Sequence, residues 1–465
     1  MTRLDLAQMS QDEMIDLILA QAQQVANLVE QNAKMQAEIE ALRMKLDKSK
    51  KPPTNSGNSS QPPSRDQKGN GTDKRKRHKH GPARGHTKYE RPFVAQPDHI
   101  IEIKPTICKK CQTNLKQADA VLIDVNQVTE LPQAKAEVIE VRQYSVNCPC
   151  CGSIQKEKPS AGLEMDRAFG ARLEATVVYY RQEQHMSYVR TRSAMQNLHG
   201  VEISEGGIDK IMQRASARAI ENVKVVEANI QQSAVIYCDE TSSRVDSNTF
   251  WQWVFCSTKA VLHVIRFNRS VDVIKDTMGD HKAEVWVSDC YGAQMNAPSQ
   301  KHQLCLAHQL RNLQAVVEQH PKDFWAKHMK IMFRYSIHLH NQRQNIPEPV
   351  FLSRIERLER LFDKLLNQTL DKPDTLRLQK RYRKYRAALF VFLRRTDVSP
   401  TNNISERHLR PSVIHRKVSG CFRSRWGAKG YAALKSLIDT GALSGISPFD
   451  VIQNLFGQSA LSLRA

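Results

Sequence analysis

Apolar residues recur every three and four positions over residues 11–46. Counted from Ile18, the a positions of a seven-residue repeat are Ile18, Val25, Asn32, Ile39 and Leu46, and the d positions are Met14, Gln21, Leu28, Met35 and Leu42. One Asn at a with mostly Leu and Met at d predicts a short parallel dimeric coiled coil, although the same stripe would serve an amphipathic helix packed on its own chain. Over residues 93–152 the apolar runs shorten, and EVIEVRQYSV alternates with the period of a half-exposed strand. Helical spacing returns over 165–230 in RLEATVVYYRQEQ, in SYVRTRSAMQNL, which Gly200 ends, and in EGGIDKIMQRASARAI, for which Ser204 offers an N-cap. Helices joined by a short Gly-containing turn read either as a helix-turn-helix or as a plain helical hairpin. Residues 234–290 hold the strand-like runs AVIYCDET, FWQWVFCSTK, AVLHVIRF and AEVWVSDCYG. Residues 305–395 are helical in pattern, and SPTNNISERHLRP opens a last segment that ends in WGAKGYAALKSLIDTGAL.

These patterns predict a multidomain α+β chain. Its parts are a coiled coil at 11–46, a linker at 47–92, a small β module at 93–160, a helical region at 161–230, a mixed core at 231–440 with a helical insertion at about 312–398, and a C-terminal segment at 441–465. The linker begins KSKKPPTNSGNSSQPPSRDQKGNG, too rich in Pro, Ser, Asn and Gly to bury a core, so a flexible segment is expected. It runs into KRKRHKHGPARGHTKYER, where Lys74, Arg75, Lys76 and Arg77 would attract phosphates without reading sequence, or simply be a solvated tail.

Charge sharpens this picture. The 465 residues carry a formal net charge of +21, which points to a polyanionic partner, nucleic acid or an acidic membrane surface. No run reaches the roughly 18–20 uncharged apolar residues of a membrane span. The start, MTRLDLAQMSQDEM, is too acidic and polar for a signal peptide. A cytosolic chain is therefore expected, with its ten cysteines reduced.

Reduced cysteines at regular spacing suggest metal. Cys108–Cys111 and Cys148–Cys151 are two C-x-x-C pairs, and two such turns can complete the tetrahedral sulfur shell of one structural zinc. Four free thiols or a redox pair would look the same, and Cys150 is a substitute ligand of poorer spacing. Cys238, Cys256, Cys290 and Cys421 sit in apolar contexts that suit a core. Cys305 and His308 share a C-x-x-H spacing with no second pair nearby.

Among the acids, Asp239 follows AVIYC and Asp289 follows VWVS, so both fall at ends of buried strands, where a carboxylate is costly unless paired, hydrogen-bonded or metal-bound. Two such acids could share divalent ions if a third joined them. Glu406, among Asn402, Asn403, Ser405, Arg407 and Arg410, is the best candidate, although acids after strands are also common as turn or cap residues.

The ordered set SKKPPTNSGNSSQPPS, C-x-x-C, CPCCG, YCDET, SDCYGA, CLAHQLRNL and TNNISERHLRPSVIHRKVSGCFRS-RWGAKG resembles the insertion-sequence transposases of the sixty-six family across nearly the whole chain. The resemblance implies a zinc-binding domain and a ribonuclease-H-like core with a DDE triad. Asp239, Asp289 and Glu406 match that triad, which would hold two Mg²⁺ or Mn²⁺ ions for cleavage and strand transfer of double-stranded DNA at the element's ends and target. It further suggests accessory proteins of the same element. Two element ends must meet, so a homodimer or larger assembly through residues 11–46 is expected, in the cytoplasm at the nucleoid. Arg407, Arg410, Arg416, Lys417, Arg423 and Arg425 crowd the region after Glu406 and could hold the DNA backbone there, or form a solvated basic face. Trp426 suits the core, or a stacking contact with a displaced base. A DNA-binding regulator without catalysis would need only the coiled coil, zinc module and basic linker, and a nuclease of the same core would cut without joining.

Overall fold

The computed structural model describes residues 20, 23–25, 27–36, 38–39, 91–132, 136–159, 163–164 and 167–457. Lys74, Arg75, Lys76 and Arg77, and the heptad positions Met14, Ile18, Gln21, Leu42 and Leu46, lie outside the described residues. At the described heptad positions Val25, Leu28, Asn32, Met35 and Ile39 the chain is helical and the side chains are exposed. Among the described residues no helix is long and apolar enough to cross a membrane.

The described residues of 70–140 and 192–203 make one compact unit, and those of 1–69, 141–191 and 204–465 another. In the smaller unit, Ile107 bridges Asn114 across the turn that carries Cys108 and Cys111. In the larger, strands β1 (Ser145–Asn147) and β2 (Ile154–Lys156) pair antiparallel around the turn that carries Cys148 and Cys151. Only the end of the alternating run EVIEVRQYSV becomes strand, as β1. The rest has no ladder partner, and its Val138 is almost wholly exposed.

Helices α1 (Ala171–Gln182), α2 (Tyr188–His199) and α3 (Glu205–Gln231) follow. Gly200, at φ +66°, directly follows α2, and the Ser204 side chain accepts a hydrogen bond from the backbone N–H of Gly207 to start α3.

The centre of the larger unit is a five-stranded sheet: β3 (Val235–Val245), β4 (Asn248–Cys256), β5 (Val261–Arg266), β6 (Ala283–Ser288) and β7 (Ser299–Leu304), in spatial order β5-β4-β3-β6-β7. The first three form an antiparallel meander, whereas β3–β6 and β6–β7 pair parallel. The β3–β4 connection is a two-residue turn with Asp246 and Ser247 both at positive φ, the conformation that matches strand twist in tight hairpins. The crossover between β5 and β6 contains α4 (Val271–Met278).

Alternation along the strands sends side chains to two cores. Val235, Tyr237, Val285 and Val287 face one, while Ile236, Cys238 and Trp286 face the other with Trp253 and Phe255 of β4. The second core is closed by Val226 and Ile230 of α3 and by Val273, Ile274 and Met278 of α4. The first is closed by helices after β7: α6 (Leu306–Gln319), α7 (Phe324–Asn341), α8 (Glu348–Leu366), α9 (Pro373–Lys384) and α10 (Val391–Arg394), with α5 (Gly292–Met295) a short turn before β7. Helical structure begins at Leu306, immediately after β7 and ahead of the predicted start of the insertion. Phe333, Phe362, Tyr382 and Phe390 interlock as its aromatic centre.

The chain returns to the sheet through α11 (Asn403–Ser419), α12 (Arg425–Leu443) and α13 (Pro448–Phe456). Edge strand β5 is covered by α12. Val261 N–H donates to Thr440 Oγ1 at 3.0 Å and His263 N–H to Ser436 Oγ at 2.8 Å, so these edge amides are occupied by side chains.

Candidate active site

Asp239 lies in β3 and Asp289 immediately follows β6. These two strands are neighbours and parallel, with Tyr237 in register with Val287. Each aspartate is two residues past that matched pair, so both come at one height and, by the two-residue period, on one face of the sheet. The Asp239 Oδ1 accepts the backbone N–H of Glu240, and the Asp289 Oδ1 accepts that of Tyr291, each at 2.9 Å.

Glu406 lies in the first turn of α11. Asn402, 1% exposed, positions this turn: its Nδ2 donates to Cys238 O at 2.8 Å, its backbone N–H to Cys305 Sγ at 3.2 Å, and its Oδ1 accepts from Ser405 Oγ at 2.9 Å. The helix is thus anchored to β3 one residue before Asp239. The Glu406 carboxylate is half-buried and accepts from Arg311 Nη2 at 3.2 Å.

The three acids share one electrostatic environment. Burial, then the charges of Glu240, Asp289 and Glu406, push the Asp239 carboxyl well above the usual range. Burial raises Asp289 as well, opposed by the Tyr291 N–H and by the cations Arg269 and Arg381. Asp239 thus meets neighbouring acids without a cation, whereas Asp289 faces Arg269 and Arg381 and Glu406 is paired with Arg311; the hard oxygen donors of all three fit a divalent ion such as Mg²⁺ or Mn²⁺.

A fourth acid was not singled out by the sequence reading. Glu240, whose side chain is 1% exposed, is raised by burial and by Asp289, yet it is tied down. Its Oε1 accepts from Arg269 Nε at 2.9 Å and Nη2 at 2.6 Å, and its Oε2 accepts from Gln294 Nε2 at 2.7 Å. The Arg269 guanidinium lies between the rings of Trp251, at 4.5 Å, and Tyr291, at 4.0 Å. Tyr291 OH donates to Arg269 O at 2.7 Å. The sequence signal was the acidic pair Asp239–Glu240 itself; its partner is 29 residues away in a loop. The basic run of α9 was likewise passed over, although Arg381 and Lys384 act electrostatically on Asp289 and Cys290.

After Glu406, the side chains of Arg407, Arg410, Lys417, Arg423 and Arg425 are exposed. Arg416 is half-buried, its Nη1 3.2 Å from Ser242 Oγ on β3. Trp426 is 42% exposed, so a core role for it is corrected: it opens α12 on the solvent side. Cys238 and Cys256 are buried as predicted, whereas Cys290 and Cys421 are half-buried. Among the described residues, Cys305, His308 and Glu406 form a group whose ligand atoms lie within 4.8 Å of one another; Asp239 and Asp289 are not part of it.

The two C-x-x-C turns have the same construction. In the first, Gln112 N–H donates to Cys108 O and Cys108 N–H to Thr113 O; in the second, Gly152 N–H donates to Cys148 O and Cys148 N–H to Ser153 O, all at 2.9 Å. Each turn needs a left-handed residue after its second cysteine, Gln112 at φ 62° and Gly152 at φ 70°. Hydrogen bonds from Thr113 and Ser153 draw the Cys111 and Cys151 thiols down to about 7.

A family model described as Transposase IS66 family matches residues 167–430, more than half of the chain, and one described as zinc-finger binding domain of transposase IS66 matches residues 105–152. No curated protein matches the chain.

Proposed function

The chain belongs to the transposase IS66 family, and from that premise we propose that it cuts and joins DNA through a metal-dependent DDE site made of Asp239, Asp289 and Glu406. The observation that carries the reading is the parallel register of Tyr237 with Val287, from which Asp239 and Asp289 are each two residues on, with the charges of Asp289 and Glu406 both acting on the buried Asp239. The strand order β5-β4-β3-β6-β7, three antiparallel strands followed by two parallel ones, supports a ribonuclease-H-like core interrupted by the helices after β7.

Two Mg²⁺ or Mn²⁺ ions would be held by the three carboxylates and, when bound, stabilise charge on the attacking and leaving oxygens of a phosphodiester. Asp239, within β3, and Asp289, just after β6, each held by a backbone amide, would supply oxygens to the ions. Glu406 closes the set from α11 once it leaves Arg311. The exposed Arg407, Arg410, Lys417, Arg423 and Arg425 follow Glu406 along the chain and would hold the DNA backbone, with Arg416 braced on β3. Lys74–Arg77 add non-specific attraction. The zinc of the matched zinc-finger domain is assigned to the thiolates of Cys108, Cys111, Cys148 and Cys151, supported by the matching construction of the two turns. Pairing through the exposed stripe Val25, Leu28, Asn32, Met35 and Ile39 would bring two element ends together as a dimer.

Incubation with element-end DNA and Mg²⁺ tests the reading. Wild type cleaves, Asp239→Asn does not, and both bind the DNA alike. Joining of a pre-cut end to plasmid separates a transposase from a nuclease. Normal cleavage by Asp239→Asn would remove that residue from the site.

A further inference from the structure

Cys305, His308 and Glu406 bring a thiol, an imidazole and a carboxylate together, a donor set unlike the all-oxygen set proposed for catalysis. Cys305 is the N-cap of α6, and His308 comes three residues later, one helical turn on, so both look out from the same end of the helix. Glu406 reaches them from α11. The sulfur is fully buried and already accepts the Asn402 N–H, the kind of bond that steadies a metal-bound sulfur. The His308 Nδ1 is buried without a hydrogen-bond partner and faces Glu406 Oε1 at 3.6 Å. A cation already occupies the outer side of this group: Arg311 Nη2 lies 3.2 Å from His308 Nε2 and 3.2 Å from Glu406 Oε1. Its side chain is 29% exposed and can swing into water.

We propose that Cys305, His308 and Glu406 bind a thiophilic divalent ion, Zn²⁺, and that Zn²⁺ bound there withdraws Glu406 from the catalytic carboxylates and so inhibits cleavage. Sulfur and imidazole favour zinc over magnesium, whereas Asp239 and Asp289 offer only hard oxygens. Binding releases the Cys305 thiol proton to solvent, moves the imidazole proton from Nδ1 to Nε2, and replaces the Arg311 guanidinium by the ion beside Glu406. Three protein ligands leave a fourth tetrahedral position for water. The binding half of the proposal stands on these side chains alone; the inhibitory half rests on Glu406 being the third catalytic carboxylate.

The test uses the full chain carrying its structural zinc. After equilibrium dialysis against micromolar Zn²⁺, zinc per chain is counted for wild type, Cys305→Ser and His308→Gln. Wild type should hold about one zinc more than either variant, since losing one of three ligands weakens binding by roughly 10- to 100-fold or more. Magnesium-supported nicking by wild type should fall about tenfold as the site fills, while His308→Gln keeps its rate at the same zinc concentration. His308→Gln serves as the second variant should Cys305→Ser disturb the buried sulfur position. An equal zinc count in all three chains overturns the site. A lost zinc with unchanged zinc sensitivity overturns the inhibition. A wild type that never nicks DNA overturns the catalytic reading, and the inhibitory half with it, while the zinc count still decides the binding half.

Discussion

Removing Arg269 should destabilise the core in a pH-dependent way. Glu240 is enclosed, and two of its three donors come from the Arg269 guanidinium at 2.9 and 2.6 Å, both to Oε1. In Arg269→Ala only the Gln294 bond to Oε2 remains. Breaking a buried pair from one side costs about 3–5 kcal/mol when the remaining charge is fully sealed. Arg269 is itself 36% exposed, so water can take part of its place, which lowers the expected loss to about 2–3 kcal/mol. Lost contact with Trp251 and Tyr291 adds about 0.5–1 kcal/mol for each ring.

Glu240 has an escape, which is to take up a proton. Its folded carboxyl is already raised by burial and by Asp289, and Arg269 opposes that rise. Without Arg269 the folded value climbs further above the unfolded one. A carboxyl raised on folding contributes stability that is fully present below the unfolded value and is lost as pH rises through the folded value. The gap between wild type and variant should therefore be smallest at pH 5, where about 1–2 kcal/mol of ring contact is lost, and largest near pH 8, where the full loss of about 3–5 kcal/mol lowers the midpoint by roughly 6–20 °C for a domain of this size. Thermal unfolding of wild type, Arg269→Ala and Arg269→Lys at both pH values measures it, with Lys intermediate because charge is kept and the fork is lost. An equal loss at pH 5 and pH 8 would refute the ion-pair account and leave only ring packing.

Further outcomes follow from the same structure. Asp239 and Asp289 are both raised on folding, so the metal-free protein should lose stability as pH climbs from about 4 through their folded values, Asp239→Asn should flatten that slope, and saturating Mg²⁺, which needs the ionised forms, should oppose it; unfolding curves with and without Mg²⁺ decide. Gly152→Val puts a β-branched residue at φ 70° and should weaken zinc retention in a chelator competition by about 1–2 kcal/mol, roughly tenfold, whereas Gln112→Gly in the twin turn should not weaken it. A Cβ on Gly430 would run into the Ser216 side chain, where α12 crosses α3, so Gly430→Ala should cost about 1–3 kcal/mol in denaturant unfolding, and Ser216→Gly should rescue it. Asp439 gathers His263 at 2.9 Å, His408 at 3.0 Å and Lys435 at 2.9 Å; Asp439→Ala should cost about 2–3 kcal/mol, because both histidines lose their acceptor while the buried Lys435 keeps Glu183 at 3.2 Å, again read by denaturant unfolding.

The sequence made the strand-end acids visible, because AVIYC and VWVS are buried runs each ending near an Asp. Their equal height was not legible: it follows from parallel pairing of strands about fifty residues apart in sequence, and nothing local encodes that register. Glu406 was a candidate by its polar and basic neighbours, and the order of motifs matched it to the triad's Glu. Its place depends on Asn402 bonding Cys238 and Cys305, contacts that span 164 and 97 residues. The C-x-x-H spacing of Cys305 and His308 was plain, but the third donor comes from another helix, so spacing alone undervalued it. EVIEVRQYSV shows the opposite failure, an alternating pattern with no partner strand to complete most of it. Ser204 and Gly200 were readable because a cap and a stop act on their immediate neighbours.

The helices that follow β7 leave and re-enter the sheet at nearly one place. Leu306 N–H donates to Pro400 O at 2.9 Å, and Asn402 N–H to Cys305 Sγ at 3.2 Å. Gate and exit being joined, this stretch is topologically a cassette: descendants could lengthen, shorten or exchange it without changing where Glu406 emerges. The same cassette seals one face of the sheet through Phe333, Phe351, Phe362 and Tyr382, so a replacement must bring a comparable apolar underside. Evolution along this lineage is thus freer in the outward surface of the cassette than in its inward one.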